Sequence, residues 1–511
     1  MGFDVLFDAV LAIVTSGSAV YVVLGVALGL CFGVIPGLGG TTALALLIPV
    51  TYSMQPLDAM YLAGGVMGAT PFGGSITAIL INTPGTAPNA ATVFDGYPLA
   101  KQGKAGKAIG ASATASALGG VIGVITLLAV IPIAKQVVLL FGPAEFFLLT
   151  LLGLTAIAVS ARGKLLRGLM AGGIGLLFAF VGVDAITGQI RYTGGSDYLW
   201  DGIPLVPTLT GMFAISQMIE LALKGGSVAS LEEGAKRITG VWDGIRSVFT
   251  HWPVLLRGSL IGTVIGAIPG LGGTVASFLA YTSTVHASRD PDSFGRGNIA
   301  GVIAPEAANN AKDGGALIPT VAFGIPGSAE TAIFLGILVL HGIEPGPSIL
   351  LYHEQEIYGL IVALTMSAVG ASIIGLLVTR WLVLITYVNV NILVPVVVAV
   401  SLTGVYVLEG KPGDVILCLI MGLLGYVMIR FDYPRLTLVI ALVLGETAER
   451  SYHQTLMISD HQMWSFIMGR PIAVVLVAAT VLTLALPFLR KLSSRRAAAR
   501  AMAKSAGETR A

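Results

Sequence analysis

The sequence predicts an all-α polytopic membrane protein of about twelve transmembrane segments. They are arranged as two inverted-topology repeats, with helices broken by Gly and Pro or folded back as re-entrant hairpins. Three observations carry this. Only 11% of the 511 residues are charged, with mean hydropathy +0.88 and 66 glycines, whereas soluble domains carry about 25% charge. Six stretches, 19–57, 59–94, 108–134, 358–379, 381–408 and 471–489, hold no Asp, Glu, Lys or Arg. About 20 apolar residues span a bilayer, and a charge at a helix centre costs about 2.5 to 3.5 kcal/mol on insertion scales. The third is an internal repeat. Gly33-Val34-Ile35-Pro36-Gly37-Leu38-Gly39-Gly40-Thr41 returns as Gly266-Ala267-Ile268-Pro269-Gly270-Leu271-Gly272-Gly273-Thr274, changed only at Val34 against Ala267.

Residues 3–14 read as a short interfacial helix, since Asp4 and Asp8 stand where a signal peptide needs a basic start. The first membrane repeat is 1–223. It contains the break at 33–41 and a second at Thr83-Pro84-Gly85-Thr86-Ala87, which Ile325-Pro326-Gly327-Ser328-Ala329 echoes. Gly153-Leu154-Thr155 is echoed by Ser401-Leu402-Thr403, so the offset drifts from 233 to 248 residues while the order of features is kept. A polar, cytoplasmic linker at 224–250 joins the second repeat, 251–470. A final transmembrane helix at 471–489 and a basic cytoplasmic tail at 490–511 follow. Connections in the first repeat are basic (Lys101, Lys104, Lys107; Arg162, Lys164, Arg167), and their counterparts are acidic or mixed (Glu344, Glu354, Glu356; Glu409, Lys411, Asp414). By the positive-inside rule, equivalent loops then lie on opposite faces, which is the mark of an inverted repeat. Lys224, Lys236, Arg237, Arg246 and Arg257 suit a cytoplasmic linker. The tail's Arg490, Lys491, Arg495 and Arg496 can dock on anionic membrane lipid or stand as a solvated stop-transfer segment. Nothing points to nucleic acid. Cys31 and Cys418, far apart in apolar segments, read as packing residues.

Spans interrupted at matching places in both halves are the best pointer to a transport site. Pro36-Gly37-Leu38-Gly39-Gly40 ends one helix, and Thr41 or Thr42 can cap the next; Pro269, Gly270, Gly272, Gly273 and Thr274 repeat the arrangement. A helix start carries about half a positive charge, so two of them facing one cavity attract a carboxylate. Ser75, Asn82, Thr83, Pro84 and Gly85 in one half, and Pro326, Gly327 and Ser328 in the other, complete the expected substrate site. Glu306, Asn309 and Asn310 are the expected cation-coupling groups, because an ionisable residue in an apolar run is functional by default. The alternative places Glu306 exposed at the interface beside Lys312 and Asp313. No nucleotide, hydrolase or metal motif is visible, so the chain reads as a non-enzyme with no cofactor, driven by ion gradients.

Beyond these segments, Tyr52-Ser53-Met54-Gln55-Pro56, Gly73-Gly74-Ser75-Ile76-Thr77-Ala78-Ile79-Leu80, Asp95-Gly96-Tyr97-Pro98-Leu99-Ala100, Ala304-Pro305-Glu306-Ala307-Ala308-Asn309-Asn310-Ala311 and Gly324-Ile325-Pro326-Gly327-Ser328 resemble the TctA family. This is the large membrane subunit of tripartite tricarboxylate transporters. The resemblance runs through nearly the whole chain. It implies a multi-pass protein of the bacterial inner membrane, working with a small four-span membrane subunit and a periplasmic substrate-binding protein. The substrates it implies are citrate and other carboxylates, taken up by symport with Na⁺ or H⁺. Two departures stand out. Ala300-Gly301 replaces Glu-Gly ahead of Ala-Pro-Glu, and Thr282-Ser283-Thr284 lacks an acidic residue expected after Ala280-Tyr281.

Electrostatics sets a condition on such uptake. Moving a trivalent anion against about 100 mV costs about 7 kcal/mol. Cotransported cations must cancel that work, so cation ligands belong near the anion site. The rival reading is a passive organic-anion channel, in which uptake follows the potential and ignores Na⁺ and pH.

Overall fold

The computed structural model describes residues 11, 13, 15, 17–160, 165–184, 186–224, 239–385 and 389–485. Most of 3–14, Arg162, Lys164, Lys236, Arg237 and the tail 490–511 lie outside the described residues. Two compact units form: Met1–Leu139 with Ile203–Asp432, and Leu140–Gly202 with Tyr433–Ala511.

In chain order the first unit begins with α1 (Ala19–Val34), α2 (Gly39–Thr51), α3 (Pro56–Ile81), α4 (Ala90–Lys101) and α5 (Ala105–Val138). The second unit takes α6 (Pro143–Ser160) and α7 (Leu165–Ala179). The chain returns to the first unit with α8 (Leu205–Lys224, including a π-helical turn), α9 (Val241–Thr250), α10 (Trp252–Gly266), α11 (Gly272–Ala287) and α12 (Ala300–Phe323). There follow α13 (Ala329–Leu340), α14 (Pro347–Tyr352), α15 (Glu354–Ile385), α16 (Val390–Glu409) and α17 (Pro412–Arg430). The second unit closes with α18 (Arg435–Ile458), α19 (Met463–Met468) and α20 (Pro471–Ala485).

Within the first unit, α1 to α5 have 16, 13, 26, 12 and 34 residues, and α10, α11, α12, α13 and α15 have 15, 16, 24, 12 and 32, so the sequence duplication is also a duplication of helices. The breaks match in backbone detail. Gly37 and Gly270 have φ of +88° and +83°, and Gly39 and Gly272 +63° and +66°. These are left-handed values at which a side chain is strained. The ends of α3 and α12 are left-handed too, at Asn82 and Gly324. In each repeat one break is tied to the other: Gly37 N donates to Gly85 O at 3.3 Å, and Gly270 N to Gly327 O at 3.3 Å.

Small residues let these helices approach backbone to backbone. A Cβ placed on Gly25, Gly29 or Gly33 of α1 would lie 2.5 to 2.7 Å from the carbonyl oxygens of Leu62, Val66 and Thr70 on α3. Gly258, Gly262 and Gly266 of α10 stand 2.4 to 2.5 Å, on the same measure, from those of Ala304, Ala308 and Lys312 on α12. Contacts advance together along both chains, so α1 runs parallel to α3 and α10 to α12. Since only the short link Tyr52–Gln55 separates α2 from α3, α2 must double back to the end at which α1 began.

The long helix of each repeat packs on the broken helix of the other. Gly119 and Gly123 of α5 sit on the backbone of Ala307 and Ala311 in α12, and Ser367 of α15 donates to Gly64 O on α3 at 2.9 Å. The two equivalent long helices run antiparallel. Lys135, near the end of α5, pairs with Glu354 at the start of α15, and Ser372, further along α15, donates to Ala113 O near the start of α5 at 2.8 Å.

Six helices among the described residues are long and apolar enough to cross a membrane, or seven if α9 and α10, bent by 79°, count as one span. The tally falls below the expected twelve because the breaks leave pieces such as α1, α2 and α13 with 10–17 residues. At 1.5 Å per residue these are shorter than a 30 Å hydrocarbon core. Part of the segment read as a polar linker is the helix α9, packed on α5 so closely that a Cβ on Gly244 would lie 2.1 Å from Lys107 O.

The second unit joins α6 and α7 to the helices near the chain end. Arg470 reaches the buried Glu145 at 2.5 Å. An antiparallel hairpin, Gly182–Val183 against Ile190–Arg191, follows α7. There Arg191 bonds both oxygens of Glu449, at 2.7 and 3.0 Å, and lies 3.0 Å from Asp184. Cys31 is half-buried and Cys418 buried, both as free thiols.

Candidate functional site

The starts of α2 and α11 are the duplicated features from which the site is built. Each follows a leucine, Leu38 or Leu271, and no side chain caps either start. The expectation that Thr41 or Thr42 caps α2 is not met: the helix begins at Gly39, which leaves Thr41 already inside the first turn. With no side-chain cap, the first backbone N–H groups present the positive end of each helix dipole.

A charged cluster lies beside both starts. Lys312 Nζ on α12 is 2.5 Å from Asp313 Oδ1 and 3.3 Å from Glu330 Oε2 at the start of α13. A Cβ on Gly273 would come within 2.7 Å of Lys312 Cε, and one on Gly40 within 3.4 Å of Glu330 Cγ. Glycine at 273 therefore leaves room for the Lys312 side chain, while Gly40 lies in ordinary contact range of Glu330. Lys312 and Asp313 are 3% and 2% exposed, but Glu330 is 24% exposed, so the cluster has one partner open to its surroundings. Among the described residues, Asp313 Oδ2, Asn309 Nδ2 and Asn310 Oδ1 are buried without hydrogen-bond partners, while Asn310 Nδ2 donates to Gly68 O at 3.1 Å. Buried polar atoms usually find partners, and leaving one without costs about 1 to 3 kcal/mol. Three such atoms within two turns of one helix mark a polar site.

Two turns earlier on α12, Glu306 is fully buried, not exposed at an interface. It accepts from Ser75 at 2.5 Å, from Ser112 and Ser116 at 3.0 and 3.1 Å, from Thr92, and from Asn89 Nδ2 at 3.5 Å. All five donors come from the first repeat, so this carboxylate joins the repeats through hydroxyls and an amide. Asn89 also donates to Ser75 Oγ at 2.8 Å and Pro71 O at 3.0 Å, while Thr86 donates to its carbonyl oxygen. Beyond Glu306, Asp95 accepts from Tyr281 at 2.9 Å and from the backbone N–H groups of Gly297 and Asn298 at 2.9 and 2.8 Å, tying α4 to the start of α12.

The remaining expected site residues divide in two. Gly39, Gly40, Gly85, Gly273, Pro326 and Gly327 are buried, and Pro36, Thr41, Pro84, Pro269, Gly270, Gly272 and Thr274 half-buried, along the two pairs of breaks. Ser75 reaches Glu306 as described. Others are occupied locally: Thr83 donates to Ile81 O at 3.1 Å, Asn82 is exposed, and Ser328 caps α13 in a capping box with Thr331. Sequence reasoning missed Lys312, Asp313 and Glu330 as one cluster, and Asn89, Thr92, Ser112 and Ser116 as the cage. The i, i+4 spacing of Ser112 and Ser116 on an apolar helix was the available signal.

A helical multi-pass membrane protein with duplicated, glycine-broken helices around buried charge belongs among membrane transport proteins. The comparisons agree. Residues 19–440 match the tripartite tricarboxylate transporter TctA family, and the chain belongs to that family. An uncharacterized 52.8 kDa protein in the TAR-I ttuC' 3' region of Agrobacterium vitis is 32% identical over 483 residues, covering 94% of this chain and 95% of that protein. A second uncharacterized protein, in the TAR-II ttuC' 3' region of the same organism, is 31% identical over 236 residues, covering 46% of this chain and 97% of that protein. No solved structure matches.

Proposed function

We propose that the chain is the transport subunit of a binding-protein-dependent secondary carrier that takes up tricarboxylates or related carboxylates with Na⁺ or H⁺ by alternating access. The observation that carries this is the buried Lys312–Asp313–Glu330 cluster beside the uncapped starts of α2 and α11. Two helix starts and a lysine attract an anion, and the neighbouring carboxylates and amide oxygens suit a hard monovalent cation. Glu306 in its hydroxyl cage, with Asn309 and Asn310, is a further cation-coupling site on the same helix. Its donors can turn their lone pairs toward a cation, or the carboxylate can take a proton.

The antiparallel run of α5 and α15 supports two inverted repeats, with repeat boundaries at 1–223 and 251–470, a linker at 224–250, a last span at 471–489 and a cytoplasmic tail. The family's tripartite assembly supports a small membrane subunit and a periplasmic binding protein as partners, and with them a place in the bacterial inner membrane. Uptake of labelled citrate and other carboxylates into vesicles, with the purified binding protein and with or without a Na⁺ or pH gradient, tests this. Accumulation that requires a cation gradient is expected, and uptake that merely follows the potential would make the protein a channel. Gly39→Val and Gly272→Val are expected to abolish uptake while the chain still inserts, and normal uptake in both would remove the site.

A further inference from the structure

We propose that Lys312 anchors a carboxylate of the substrate and that Glu330 is its exchangeable partner. The incoming carboxylate replaces Glu330 on Lys312, and the released Glu330, with Asp313, takes up a monovalent cation. This rests on the carrier reading above and specifies its charge exchange.

The two partners of Lys312 are unequal. Asp313 is adjacent on the same helix, 2.5 Å away and buried, so it stays whatever α13 does. Glu330 comes from α13, lies 3.3 Å away, and is a quarter exposed. A buried ammonium needs a counter-charge at all times. Only Glu330 can leave and be replaced by a mobile anion without leaving the lysine bare.

The surroundings fit both ligands. Beside Lys312 stands the start of α11 at Gly273, and beside Glu330 the start of α2 at Gly40. Substrate on Lys312 therefore sits beside the first turn of α11, and the unpartnered Asn309 Nδ2 on α12 adds a buried donor. For the cation, Asp313 Oδ2 and Asn310 Oδ1 are unpartnered buried oxygens on the same helix. The charges enforce the coupling. Lys312 faces two carboxylates, and each substrate carboxylate added makes the cluster more negative by one, which one monovalent cation restores. Anion and cation then strengthen each other's binding reciprocally.

The test is binding of radiolabelled citrate, with unlabelled di- and tricarboxylates as competitors, to the full chain in nanodiscs. Na⁺ is titrated at fixed pH, and pH is titrated without Na⁺. Glu330→Gln keeps shape at a partly exposed position and removes the competitor. It is expected to bind citrate about tenfold more tightly without the coupling cation, because no carboxylate competes for the side of Lys312 that Asp313 leaves open, and to lose most of the cation's stimulation. Lys312→Arg should bind and Lys312→Met should not, with chromatographic monodispersity reporting that each is folded. If Glu330→Gln keeps wild-type affinity and full cation stimulation, the exchange is wrong while cation-coupled uptake stands. Should the wild-type chain and its reconstituted complex bind and carry none of the carboxylates, the carrier reading falls and the exchange with it.

Discussion

Replacing Gly85 by alanine places a methyl group where the two breaks of the first repeat meet. Its Cβ would lie 1.9 Å from Gly33 O and 2.6 Å from Gly74 Cα, both backbone atoms of packed helices that cannot swing aside. Ordinary contact begins near 3.4 Å, so the loop must move by about 1.5 Å. That shift breaks Gly85 N→Gly74 O, at 3.2 Å, and Gly37 N→Gly85 O, at 3.3 Å. Overpacking costs about 1 to 3 kcal/mol and the stranded N–H of the buried Gly85 about 1 to 3 more, so a loss of about 2 to 6 kcal/mol is expected. Gly327→Ala, with 2.6 Å to Gly266 O, should cost less. Gly272→Ala has open space within 4 Å and only its φ of +66° to strain, about 1 to 2 kcal/mol. Melting temperatures in nanodiscs should therefore fall in the order Gly85, Gly327, Gly272, with citrate uptake lost first in Gly85→Ala. A Gly85→Ala protein that melts and transports like the wild type would refute the interlocked breaks.

Three further outcomes follow from the geometry. Glu306→Ala deprives Ser75, Thr92, Ser112 and Ser116 of their shared acceptor and should lower stability by about 2 to 4 kcal/mol in thermal melts. An unchanged melt would mean the cage holds nothing together. Lys135→Ala removes a pair whose side chains are 26% and 40% exposed, so it should change stability by less than about 1 kcal/mol and leave uptake intact; a larger loss would show that the end of α5 is held more firmly than this exposure allows. The backbone N–H groups of Thr187 and Ile186, helped by Arg191, hold the Asp184 carboxyl below the usual carboxylate range. A depressed folded-state value contributes stability above the unfolded one and loses it as pH falls through the folded one. Hydrogen exchange across 182–191 should therefore lose protection as pH falls below the ordinary carboxylate range, and Asp184→Asn should abolish that pH dependence.

The parts of this fold legible in the sequence are those written in the backbone. Pro36, Gly37 and Gly39 announce a break because proline lacks an N–H and glycine alone accepts a left-handed φ, and the copy at 269–272 excludes coincidence. The apolar windows announce helices but not their length, so a span and a hairpin arm of α2's size looked alike. Of the cage around Glu306 only the i, i+4 pair Ser112 and Ser116 left a trace in the sequence, because hydroxyls at 75, 92, 112 and 116 become one cage only when four elements converge. Lys312 and Asp313, read locally, look like charges seeking water. Tertiary packing buries them, and Glu330, distant in sequence from both, makes the pair a trio. The second unit was invisible for a related reason: it is assembled from 140–202 and a segment more than 200 residues later, which no local pattern connects.

The inverted arrangement of the two repeats is tested most directly by sidedness. Lys104 precedes α5 and is exposed, while Glu354 opens the equivalent helix α15 and pairs with Lys135 near the far end of α5. In a chain with Cys31 and Cys418 replaced by serine, Lys104→Cys and Glu354→Cys are each labelled with a membrane-impermeant maleimide in sealed vesicles of known orientation. Labelling of the two from opposite sides is the predicted result; labelling of both from one side would contradict the inverted repeat.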